Sequence, residues 1–185
     1  MPTSSAFAPF PPMRPIDLPA RYSDRLSPAE WIGQPKYDGW HVVFWQGRAL
    51  TRQGEDITDW AFFRDHCAKG FTLPDCGQGE LWSSAGRNAV AALRHDATGG
   101  QCTLFDMPSG EPLEHRLSAL VGLARESGFH AAPMFANRQY TWKDWQALAR
   151  TMIQIGHEGI VLKRKGSLWS EGESADWRRM KARDL

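Results

Sequence analysis

The sequence predicts an α+β domain with mixed, largely antiparallel sheets flanked by helices, and three observations lead there. Short runs of β-branched and aromatic residues alternate with stretches of helical period along most of the chain. Two of those runs, residues 41–45 and 48–52, are separated only by Gln46-Gly47, the spacing of a tight hairpin. Leu113, Leu117, Leu120, Val121 and Ala124 recur at helical spacing, and Gly128 follows as a stop. A chain of 185 residues is long enough for one domain with a proper core.

Taken in order, residues 1–30 are rich in proline (Pro2, Pro9, Pro11, Pro12, Pro15, Pro19) and predict an extended arm packed on a core formed by residues 31–185. Ser27 as N-cap and Pro28 at the first helical position predict a short helix over 27–32. After the hairpin, Asp59 is expected to cap a helix running to about residue 69. A strand over 80–83, a helix over 87–94 and a strand over 101–106 follow, and then the helix from 113 to about 126. Residues 130–135 read as a strand, Thr141 as the cap of a helix ended by Gly156, and 160–163 and 177–181 as closing strands. There is no internal repeat.

A formal net charge of +1 with an ordinary apolar fraction excludes a disordered or fibrous chain, and a protein that grips nucleic acid by bulk charge alone. Cations do gather late: Lys163, Arg164, Lys165, Arg178, Arg179, Lys181 and Arg183 all lie in the C-terminal stretch. No apolar run approaches the roughly 20 residues that cross a bilayer, and the N-terminus lacks a signal-peptide pattern. Cys67, Cys76 and Cys102 share no C-x-x-C spacing and are expected to be reduced. His66-Cys67 has no second pair to answer it at metal-finger spacing. A cytoplasmic monomer is the expectation.

Chemistry is suggested by an ordered set of short motifs. Lys36-Tyr37-Asp38-Gly39 places a lysine at a rigid turn beside a strand, where an amine can be held against a phosphate. Alone, such a match arises by chance in roughly one chain in twenty, and a plain hairpin turn explains it equally. A lysine attacks only as free base, so burial or nearby cations such as Lys163 and Lys181 would have to lower its pKa. Arg52, in the stretch 51–58, suits a bidentate grip on phosphate, or is part of a polar turn. Glu80 in Gly79-Glu80-Leu81-Trp82 can accept from ribose hydroxyls, or be an edge charge. Phe105 in Leu104-Phe105-Asp106-Met107 can stack on a base, or fill a core. Glu158 and Lys163 bracket the apolar run Ile160-Val161-Leu162, the first suited to Mg²⁺ and the second to a phosphate. In residues 177–181 strand alternation puts Arg179 and Lys181 on one face, suited to a polyanion.

In this order the motifs resemble those of the covalent nucleotidyltransferases: ATP-dependent DNA ligases, RNA ligases and mRNA capping enzymes. The resemblance spans about residues 10–185, and within it residues 51–58 are similar to a stretch of DNA ligases, with 79–82, 104–108 and 113–117 similar to small bacterial and phage enzymes. It implies an ATP-grasp-like nucleotidyltransferase domain, bacterial or phage-encoded, in which Lys36 takes AMP from ATP. The AMP then passes to the 5′-phosphate of nicked duplex DNA, and the 3′-hydroxyl displaces it. By position, Gln34 is expected at the adenine edge, Phe105 on the adenine face, and Glu80 on the ribose. Lys163 and Lys181 are expected on the AMP phosphate, and Arg52 on the nucleotide or the nick phosphate. Mg²⁺ would be served by Glu158 and Glu80, and DNA phosphate by His41, Arg52 and Arg179. RNA ligation, capping chemistry and a non-catalytic nucleotide- or nick-binding module are the alternatives.

Three departures mark this sequence. His41 stands where the family usually has arginine, Arg179 replaces a lysine, and the motif set is followed by no expected OB-fold domain before Leu185. Either the chain is truncated, or a partner or separate domain supplies that part, or this is a naturally minimal or impaired ligase.

Overall fold

Pairing between distant segments builds two sheets. The computed structural model describes residues 10–18 and 27–185. In the first sheet, β1 (Arg14–Asp17) runs parallel to β9 (Glu173–Lys181), which pairs antiparallel with β8 (Gly159–Arg164), and that in turn with β2 (Trp31–Lys36). The second sheet has the order β4 (Arg48–Thr51), β3 (Trp40–Trp45), β5 (Cys76–Ser83), β6 (Gly100–Asp106), β7 (His130–Ala131), antiparallel except for the parallel β6–β7 pair. The predicted α+β class with largely antiparallel, mixed sheets is the observed one.

Each sheet has its own apolar partner layer. Helix α3 (Trp142–Gln154) lies on the first sheet, where Trp145 and Ala149 pack with Trp31, Ile160, Leu162 and Met180. Gly33 is required at that contact, because a Cβ there would sit 2.5 Å from the Trp145 ring. Helices α1 (Ala61–Ala68) and α2 (Leu113–Ser127) cover the second sheet, with Phe63, Leu117 and Leu120 against Val42, Phe44 and Leu104. The predicted stop at Gly128 is a left-handed residue at φ 70°, and Thr141 closes a capping box with Asp144 as its sequence suggests.

Several elements differ from expectation. The helix expected over 27–32 is only a 3-10 turn, Pro28–Glu30. Trp31 and Ile32 open β2 instead, because pairing with Arg164 and Lys163 lets the strand bury both faces. Pro35 is tolerated within it because β2 is an edge strand. Helix α1 begins two residues after Asp59, and residues 87–94 are a 3-10 helix. The strand expected over 130–135 is reduced to β7, and Phe135 leaves it to exchange backbone hydrogen bonds with Gly33 of the other sheet. Of the expected proline-rich arm, residues 14–17 are a strand of the first sheet; residues 1–9 and 19–26 lie outside the described part.

Candidate active site

Sheet register decides which side chains meet. Lys36 lies opposite Gly159, and Gly159 opposite Lys181. One row on, Gln34, Val161 and Arg179 align, and beyond them Ile32, Lys163 and Trp177. Residues two apart on a strand share a face, so one face of the first sheet presents Gln34, Lys36, Val161, Lys163, Trp177 and Arg179 to a cavity of about 490 Å³. The second sheet closes it with His41, Thr51, Glu80 and Phe105, and Arg52 and Arg87 stand at its margin.

Lys36 ends β2 at the cavity wall. Its Nζ is 2.9 Å from Glu158 Oε2, and Lys181 Nζ lies 2.5 Å from the same oxygen. The Glu158 N–H also donates to the Lys36 carbonyl at 2.8 Å, so backbone and side chain both tie Glu158 to this lysine. Burial pushes the Glu158 carboxyl up, but the two ammonium groups outweigh it and hold the group at about 2. Asp38, beside Glu158, is raised by burial and by that neighbouring carboxyl. Tyr37 packs between Trp82 and His157, with ring centroids 5.2 and 4.8 Å away.

The glycine of Lys36-Tyr37-Asp38-Gly39 has a steric reason. A Cβ at Gly39 would lie 2.2 Å from the Leu81 carbonyl oxygen. Only glycine lets the turn lie on β5, where its N–H donates to Glu80 Oε1 at 3.0 Å. Burial lifts the Glu80 carboxyl to about 7, against the opposing pull of Lys36 and the Gly39 bond.

A pH effect follows. Between its ordinary 4.5 and about 7, native Glu80 keeps a proton that the unfolded chain has released, so stability falls as pH rises through that window. Glu80→Gln is expected to remove this part of the slope, by no more than about 3 kcal/mol. Denaturant midpoints at pH 5 and 7.5 check it; the same slope in wild type and variant would refute it.

Lys163 is buried, donates to the Phe105 carbonyl at 2.5 Å and lies 3.9 Å over the Trp177 ring. Burial pulls its amine down to about 7. Phe105 stands edge-on to His41 and to Trp177. Burial, then the charges of Arg52 and Arg14, press His41 down to about 3. The histidine that stands in the place of the family's usual arginine is therefore a neutral ring at physiological pH. Arg179 donates to Asp17 at 2.5 Å, and Arg183 reaches the other oxygen of that carboxyl at 2.9 Å.

The structure thus gathers Gln34, Lys36, His41, Arg52, Glu80, Phe105, Lys163 and Arg179 on one cavity, while Glu158 and Lys181 stand beside Lys36 rather than on its wall. Among the described residues no group of three or more His, Cys, Asp or Glu side chains is placed to hold a metal. Glu158 is taken up by two lysines and Glu80 by the Gly39 N–H. The three cysteines are free thiols, as expected, and His66 stacks on Phe129.

Arg116 was not legible as a site residue, yet it supports this wall. Fully buried on α2, it forms a bidentate pair with Asp106 at 3.0 and 3.2 Å and donates to the carbonyls of Glu111 and Ser167. It thereby fixes the end of β6, which carries Phe105. Its signal was a lone arginine among Leu113, Leu117 and Leu120 on the buried helix face.

No protein-family model matches this chain, and none of the curated proteins does. Solved structures do match. A Lig E DNA ligase, described as binding DNA with a minimal scaffold, aligns with a TM-score of 0.69 at 19% identity over 91% of this chain and 68% of that one. The Chlorella virus DNA ligase-adenylate gives 0.71 at 16% identity over 92% and 66%. The ATP-dependent DNA ligase of bacteriophage T7, in complex with ATP, gives 0.66 at 17% over 92% and 68%. The chain spans about two thirds of the length of these ligases. What it shares with them is the fold: two mixed sheets with flanking helices, structurally similar to the nucleotidyltransferase domains of ATP-dependent DNA ligases.

Proposed function

We propose that this chain is the adenylation core of an ATP-dependent DNA ligase, with Lys36 as the residue that takes up AMP. The observation that carries the reading is the placement of Lys36 at the rim of a nucleotide-sized cavity, oriented by Glu158 and flanked by unengaged polar groups. Gln34 is almost fully buried, and neither end of its carboxamide has a hydrogen-bond partner among the described residues. Leaving such groups unpaired is costly; an adenine edge, with its adjacent donor and acceptor, satisfies both. Phe105 offers the ring face and Glu80 an acceptor for a ribose hydroxyl.

In the first step Lys36 Nζ attacks the α-phosphorus of ATP. A P–N bond forms, the α–β P–O bond breaks, and pyrophosphate leaves with the electron pair. Glu158 orients the amine. Its carboxyl, held at about 2, is too weak a base to keep the lysine proton, which passes to water. Lys181 and Lys163 stand along the same sheet face to offset phosphate charge. Mg²⁺ neutralises phosphate charge when bound. Such an ion takes one or two protein carboxylates and completes its shell with phosphates and water, so Glu158 would serve it by giving up its contacts with Lys36 and Lys181. The AMP then passes to a 5′-phosphate at a nick, and the 3′-hydroxyl seals the strand. Nicked duplex DNA is the partner in this reading.

Incubation with ATP and Mg²⁺ followed by intact-protein mass measurement is expected to show a gain of one AMP, abolished in Lys36→Ala. Folded protein that gains no nucleotide from ATP, GTP or NAD would overturn the reading. Pre-adenylylated nicks with DNA or RNA strands then separate DNA from RNA sealing.

A further inference from the structure

Among the described residues, two of the cavity's cations, Arg14 and Arg52, have neither an ion pair nor a side-chain hydrogen bond. Lys36 is paired with Glu158, Arg179 with Asp17, Arg87 stands 4.0 Å from Asp38, and Lys163 donates to a carbonyl. Arg14 and Arg52 line the same space, and neither forms an ion pair among the described residues. Glu173 and Glu55 share the rim, but Glu173 forms no ion pair with either arginine and Glu55 reaches Arg94 instead. Both arginines lie close enough to His41 to act on its charge, and His41 Nε2 is a buried atom without a hydrogen-bond partner among the described residues. Two unpaired guanidinium groups about an unsatisfied ring nitrogen are a poor arrangement for an empty cavity and a good one for a multiply charged oxyanion.

Arg14 is also held in position. Its N–H donates to the Gly172 carbonyl at 2.8 Å, and Met13 beside it is fully buried with Trp169 and Trp177. Three residues on, Asp17 locks the strand to Arg179 and Arg183. The guanidinium is thus delivered by an anchored strand and not by a free tail.

We propose that Arg14, with Arg52 and the ring of His41, forms a phosphate subsite in the cavity, the N-terminal strand supplying a cation that the segment after Lys36 lacks. Its occupant is either the terminal phosphates of the nucleotide or the 5′-phosphate of a nick. The identity of the occupant rests on the adenylation reading; the subsite does not.

Calorimetric titration of the full chain with inorganic pyrophosphate tests it, using wild type, Arg14→Gln, Arg14→Lys and the exposed α2 control Arg125→Gln. Arg14→Gln is expected to weaken binding about tenfold or more, Arg14→Lys to recover part of the loss, and Arg125→Gln to bind as wild type, all with unchanged melting. Equal binding by wild type and Arg14→Gln, or no binding by the wild type, overturns the proposal. If the triphosphate is the occupant, Arg14→Gln raises KM for ATP in lysyl-AMP formation with kcat retained. If the nick is, only AMP transfer from the charged protein slows. A wild type that binds pyrophosphate but never forms lysyl-AMP would sink the adenylation reading and leave the subsite standing.

Discussion

Arg116→Met is expected to destabilise the fold by about 3–5 kcal/mol, because it leaves Asp106 as an unpaired charge in a fully buried position. For a chain of this size that lowers the melting midpoint by on the order of 10 °C. The size of the effect comes from the stranded carboxylate and not from the worth of the ion pair itself. Replacing both partners, Arg116→Met with Asp106→Asn, is therefore expected to recover much of the loss, and a double-mutant cycle would show strong coupling. Arg116 also joins β6, the turn at Glu111 and the loop at Ser167. Nucleotide binding is accordingly expected to weaken in the folded fraction, since Phe105 and the carbonyl that holds Lys163 lie next to Asp106. A single variant that melts like the wild type, or a double variant no better than the single, would count against this account.

The contrast between Arg116 and Lys36 shows what a linear sequence carries. Strands with strong β character and the Gln46-Gly47 hairpin were readable because their signals are local. The Thr141 cap and the Gly128 stop were too. β2 was not, since Ser27-Pro28 gives a local helix-start signal while the pairing that makes a strand lies some 130 residues away at β8. β1 is similar: four residues of a proline-rich segment become a strand only because β9 offers an edge.

The motif residues themselves were identifiable by type and order. Their relations were not. That Glu158 sits between two lysines depends on the Lys36–Gly159–Lys181 register, and the neutral state of His41 depends on burial near arginines from two other segments. The Gly39 N–H bond to Glu80 has the same origin, since only the folded turn brings that donor to the carboxyl.

Gly159→Ala is expected to damage the site more than the fold. Gly159 has φ +142°, a conformation that L side chains rarely adopt, and a Cβ there would lie 2.0 Å from the Met180 carbonyl oxygen. Backbone strain costs about 1–3 kcal/mol and the forced separation of β8 from β9 a similar amount. The strain falls at the row where Lys36 and Lys181 flank Gly159, one residue from Glu158, so relieving it moves the carboxylate that orients the nucleophile. Misplacement of about 1 Å at a reacting group can cost 100-fold in rate. Lysyl-AMP formation is thus expected to fall on the order of 100-fold even where the variant remains folded. Gly156→Ala provides the control: its φ is +98°, but nothing lies within 4 Å of its Cβ. It should lose about 1 kcal/mol of stability and keep its adenylylation rate. Equal rates for the two variants, measured below both melting transitions, would show that strain at Gly159 does not reach Lys36.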